Sequence, residues 1–222
     1  MILLNMTAAQ GLLDSLALLL LATALGSVLL RRLDSSIRLL AVQGILLSVA
    51  AAVVALTTGT AHAYLAVAIT IAVKVLVVPG VMLMALREVR IKREVETVLP
   101  QRQAFLVAIG LVLIAYYVVG PIHVMDGFLT RDALPSALSI MLIGLFTMLI
   151  RKKALNQIAG IVAMENGLYL MAIVATQGLP LAVELGVAVD LAIGVLVMGI
   201  FVRRIHHAFD TINTDHLRTL RG

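Results

Sequence analysis

The stretch NQIAGIVAMENGLYLMAIVA (156–175), followed after Thr176-Gln177-Gly178-Leu179-Pro180 by LAVELGVAVDLAIGVLVMGIFV (181–202), decides the fold. Each half is an apolar run of about twenty residues, the length that crosses a hydrocarbon core about 30 Å thick as a helix. Barrel strands would be about ten residues long and would alternate. Within these runs lie Glu165, Glu184 and Asp190. An ionised acid at the centre of a bilayer costs roughly 2.5–3.5 kcal/mol even on the lenient insertion scale, so all three need a reason.

The rest of the chain agrees with a membrane class. Of its 222 residues 62% are hydrophobic and 13% are charged, and the mean hydropathy is +1.10. A soluble domain lies nearer half apolar and a quarter charged. The composition therefore predicts an all-α, polytopic membrane protein in contact with the lipid bilayer. Cysteine is absent, which excludes thiol chemistry, disulfides and iron–sulfur ligation by this chain. The formal charge of +5 belongs to loops and is no sign of a nucleic-acid partner. The first ten residues carry no Lys or Arg, which reads as a retained start and not as a cleaved signal peptide.

Seven spans are expected, near residues 8–30, 39–58, 63–86, 103–119, 134–150, 154–175 and 181–202. Their alternation puts fifteen of the seventeen basic residues on one side, from Arg31 and Arg32 to Arg218 and Arg221. The other side receives only Arg131, and Lys74 lies within a span. Basic loops stay in the cytoplasm, so the N-terminus is expected outside and the C-terminus in the cytoplasm. The charged segment 87–101 is expected to continue as helix beyond the membrane and to stop near Pro100.

Depth singles out three of the buried charges. At about 1.5 Å of rise per residue, Glu165 lies about 16 Å from one end of its span, Asp190 about 14 Å and Lys74 about 16 Å, all near the midplane. Glu184 lies only about 5 Å from the outer end. A carboxylate and an ammonium at one depth can pair, and both can hold a proton transiently. Groups of this kind mark proton and ion pathways, although one buried acid can equally serve as a packing ion pair. Gly186, Asp190 and Gly194 share a helix face that admits a close neighbour. Tyr169 lies one turn after Glu165, with Asn166 beside it. They read first as ordinary packing groups, or else as holders of water or a partner. Pro79, five residues after Lys74, removes a backbone donor and is expected to kink the third span. His123 and Asp126 are too few for a metal site. His62, His206 and His207 read as interfacial.

A resemblance now enters. Arg151-Lys152-Lys153, Ile161-Val162-Ala163-Met164-Glu165-Asn166-Gly167, Gly186 through Asp190 to Gly194, and the tail Ile212-Asn213-Thr214-Asp215 to Leu220-Arg221-Gly222 are together similar to the three-helix K-type subunit of respiratory complex I. The C subunit of multi-subunit cation/proton antiporters shares the pattern. Seven spans, with Lys74 and Pro79 in the third, resemble more specifically the hydrogenase-4 component E family. The resemblance divides the chain into a four-helix region, 1–133, and a K-type-like region, 134–222. It implies a non-catalytic membrane-arm subunit of an energy-converting hydrogenase or formate hydrogenlyase in the cytoplasmic membrane. Antiporter-like membrane subunits would be its neighbours, and nickel–iron and iron–sulfur centres would lie in other subunits. Glu165 and Asp190 correspond to the two family glutamates, and Asp190 departs by one methylene. Lys74 and Glu184 have no counterpart in the three-helix pattern. The competing readings are a sodium/proton antiporter subunit and a scaffold that uses buried polar groups as interhelical glue.

Overall fold

The computed structural model describes residues 6–88, 97–120 and 132–175. They form α1 (Met6–Leu29), α2 (Leu33–Thr58), α3 (Ala61–Thr70), a π-helical segment (Ile71–Val77), α4 (Val78–Glu88), α5 (Gln101–Val119), α6 (Ala133–Ile150) and α7 (Ala154–Ala175). Among the described residues six stretches are long and apolar enough to cross a membrane. The third is a composite of α3, the π-helical segment and α4. The expected seventh span, with Glu184 and Asp190, lies outside the described residues, as do His123, Asp126, His206 and His207.

The helices arise from long runs of Leu, Ala and Val. Between α2 and α3 the chain turns at Gly59, whose φ of 66° closes α2 with its N–H on the Ala55 carbonyl. That left-handed conformation strains any residue with a Cβ. The helices α1, α2, α6 and α7 form the centre, and α5 packs on α1 and α6. The α6–α7 pair is the most extensively packed. Its backbones approach so closely that a Cβ on Gly160 would lie 2.5 Å from Met148 N, and one on Gly167 2.5 Å from Met141 N. Small residues at a helix seam permit this approach, which is how helices associate where lipid removes the hydrophobic drive. By contrast, α5 turns Leu106, Leu113 and Tyr117 outward.

One expectation fails. Residues 97–100 are not helical. Instead Thr97 faces Arg151 in an isolated antiparallel bridge, and Val98 N–H donates to the Ile150 carbonyl at 2.9 Å. The free C-terminal carbonyl of α6 takes the chain's donor, and extended backbone meets that need where a helix would not. This bridge gathers three loops at one end. There, Arg31 Nε donates to Gln101 Oε1 at 2.8 Å and Gln101 Nε2 to the Leu29 carbonyl at 3.2 Å. The Arg151 guanidinium reaches the Ser27 carbonyl at 3.0 Å. Arg31, Arg32, Arg102, Lys152 and Lys153 therefore share one end of the bundle.

Candidate functional site

The third span is not a regular helix where it carries its charge. Val78 N–H donates to the Val73 carbonyl, five residues back, in π register. The next donor in that register, onto the Lys74 carbonyl, would be residue 79, and Pro79 has no N–H. The π-helical segment around the lysine thus ends just before the proline, and π segments occur often at functional sites. Gly44 completes the fit from α2, since a Cβ there would lie 2.7 Å from the Lys74 carbonyl oxygen. The absence of a side chain at residue 44 lets α2 lie directly against the lysine.

Lys74 forms an ion pair with Glu165 of α7, and both side chains are nearly inaccessible. The ammonium also donates to Asn166 Oδ1 at 3.0 Å. Asn166 Nδ2 in turn donates to Gln43 Oε1 of α2 at 2.9 Å. The Tyr169 ring lies 5.0 Å from Lys74 Nζ, close enough for a cation–π contact. The Tyr169 hydroxyl bonds to Thr70, whose own hydroxyl donates to the Ala66 carbonyl at 2.8 Å. Tyr169 is therefore the donor in that bond. Gln43 and Thr70 are fully buried, and Gln43 Nε2 has no hydrogen-bond partner among the described residues.

Three elements thus deliver one polar cluster into an apolar bundle: α2 with Gln43, the third span with Thr70 and Lys74, and α7 with Glu165, Asn166 and Tyr169. Of the residues singled out in the sequence, Lys74, Glu165 and Tyr169 come together, joined by Asn166. Glu184 and Asp190 lie outside the described residues. Gln43 and Thr70 were not singled out. Their signal was available, since Gln43 is a lone amide within an apolar span and Thr70 precedes Lys74 by one turn. The arrangement has one cation, one anion and a donor–acceptor chain around them. Such a pair can exchange a proton internally, and the amides and phenol can stabilise either distribution. Among the described residues no group of three His, Cys, Asp or Glu is placed to hold a metal.

Comparison with known proteins defines the class first. Residues 133–222 match the family described as NADH-ubiquinone/plastoquinone oxidoreductase chain 4L, so the chain shares a domain with membrane-arm subunits of complex I-like assemblies. It is similar to hydrogenase-4 component E of Escherichia coli K12, with 31% identity over 149 residues, covering 67% of this chain and 69% of that protein. The chain belongs to the hydrogenase-4 component E family. An uncharacterized protein of Mycobacterium tuberculosis is 34% identical over 205 residues, covering 89% of this chain and 91% of the relative. No solved structure matches.

Proposed function

We propose that this chain is a non-catalytic membrane-arm subunit of a complex I-like energy-converting hydrogenase, in which Lys74 and Glu165 hold and pass protons during translocation. The observation that carries this reading is the buried Lys74–Glu165 pair, set on a π-helical segment and ringed by Asn166, Tyr169 and Gln43. A pair intended only as glue can be replaced by apolar groups at little cost in stability. A proton carrier needs the titratable groups themselves. Asp190 and, nearer the outer face, Glu184 would extend the path in the seventh span. Nickel–iron and iron–sulfur centres would lie in partner subunits, antiporter-like membrane subunits would flank the chain, and the whole would reside in the cytoplasmic membrane. The N-terminus would face outside.

The test is Glu165→Gln in the intact complex reconstituted into liposomes. Glutamine still accepts the lysine's hydrogen bond but cannot carry a proton. The expected result is normal assembly with proton pumping reduced by about two orders of magnitude, the scale of losing one acid–base group. Full pumping in an assembled variant would leave the scaffold reading in place.

A further inference from the structure

Three polar side chains lie around one cavity at the basic-loop end. Thr147 Oγ1, Arg151 Nε and Asn156 Nδ2 are all buried, and all lack a hydrogen-bond partner among the described residues. The three residues line a single space of about 10 Å³, and Ser27 and Ser36 complete its polar rim. Arg151 is only 3% exposed, although it opens a run that reads as a solvent loop. Burial pushes its pKa down to about 10, so it remains a cation at neutral pH. No carboxylate lies against it among the described residues.

Size and chemistry together choose the occupant. A buried donor left unmade is costly, and three around one hole call for a ligand. Two of them, Arg151 Nε and Asn156 Nδ2, can only donate. Thr147 Oγ1 can accept, and the Ser27 and Ser36 oxygens keep lone pairs because their hydroxyls donate to backbone carbonyls. These donors and acceptors match one water, which accepts twice and donates twice and needs about the 10 Å³ that the space offers.

Toward the ion pair the cavity wall is apolar, formed by Leu40, Ala159 and Ala163 between α2 and α7, and polar groups return at Gln43 and Asn166. Asn156 and Asn166 are ten residues apart on α7, about 15 Å along the axis. A lone water between a fixed cation and an apolar wall resists proton entry. The guanidinium repels an excess proton at hydrogen-bond distance, and the apolar wall offers the water no relay toward the ion pair.

We propose that this cavity holds one resident water, and that the water, Arg151 and the cavity's apolar inner wall close the basic-loop end of the bundle to protons. The site ties Ser27 of α1, Ser36 of α2, Thr147 of α6 and Asn156 of α7 around one ligand. Its barrier role rests on the reading of Lys74 and Glu165 as proton carriers.

The test is passive proton leak, measured as decay of an imposed pH gradient across liposomes that contain the intact complex without turnover. Arg151→Gln keeps a donor and removes the charge. It is expected to raise the leak at least about tenfold, the scale of one lost electrostatic contact. Adding Glu165→Gln to Arg151→Gln is expected to return the leak to the wild-type level. Unchanged leak in Arg151→Gln, with pumping lost in Glu165→Gln, would overturn the barrier and leave the carrier reading intact. Normal pumping in Glu165→Gln would overturn the carrier reading, whatever the leak of Arg151→Gln. A map of the wild-type complex that shows other buried waters but none between Thr147, Arg151 and Asn156 would also overturn the proposal.

Discussion

At the scale of single residues, Lys74 and Glu165 illustrate how burial converts a weak interaction into a decisive one. On a surface such a pair contributes about 0–1 kcal/mol. Here both partners are nearly inaccessible, and removing one strands the other in an apolar bundle. Lys74→Met is therefore expected to destabilise the chain by roughly 3–5 kcal/mol. The double variant Lys74→Met/Glu165→Leu is expected to recover most of that loss while conducting no protons. Thermal unfolding of the detergent-solubilised complex measures the first effect, and pumping in liposomes the second. Recovery of both stability and pumping would make the pair simple glue. The sequence made these two residues conspicuous because charge is rare in its spans, and counting residues put them at one depth. Equal depth does not imply contact, because the angular position of each side chain depends on a π-helical segment that no periodicity displays. Arg151 shows the opposite error. Within Arg151-Lys152-Lys153 it reads as a loop cation, yet it continues the buried face Ile143–Thr147 of α6, spaced four and four.

At the scale of elements, the helices were legible because each span is an uninterrupted apolar run of the right length. The exceptions have local causes. Pro79 predicts a break in the third span, and the chain answers with a π-helical segment over Ile71–Val77. The segment after α4 was expected to stay helical to Pro100, but at Thr97 the chain pairs with Arg151, a long-range choice invisible to local propensity. Packing between elements depends on where Cβ atoms are missing. Gly160→Ala would set a methyl 2.5 Å from Met148 N in the facing backbone. It is expected to cost about 1–3 kcal/mol by forcing α6 and α7 apart. Gly11→Ala is the control, since a Cβ there meets nothing within 4 Å. Alanine at that position is expected to be neutral or to stabilise by up to about 1 kcal/mol through helix propensity. Melting temperatures of the two variants should therefore move in different directions. A common fall would point to some cost other than the α6–α7 approach.

At the scale of the whole molecule, the bundle has two unlike ends. The α1–α2 turn, residues 97–101 and the α6–α7 turn meet at one end and bring Arg31, Arg32, Lys152 and Lys153 together. The Gly59–Thr60 turn at the other end is uncharged. Retention of basic loops in the cytoplasm is expected to give the bundle its direction. This direction matters to the proton path, because it decides whether Arg151 and its cavity guard the cytoplasmic side. The chain has no cysteine, so single thiols report without background. Thr60 and Lys152 are both exposed and lie at opposite ends of the bundle. In intact cells a membrane-impermeant maleimide is expected to label Thr60→Cys, and to label Lys152→Cys only after permeabilisation. The reverse pattern would invert the chain and place the Arg151 cavity on the outer side. Labelling of both from one side would contradict the two-ended bundle itself, since three described spans lie between residues 60 and 152 and three crossings put them on opposite sides.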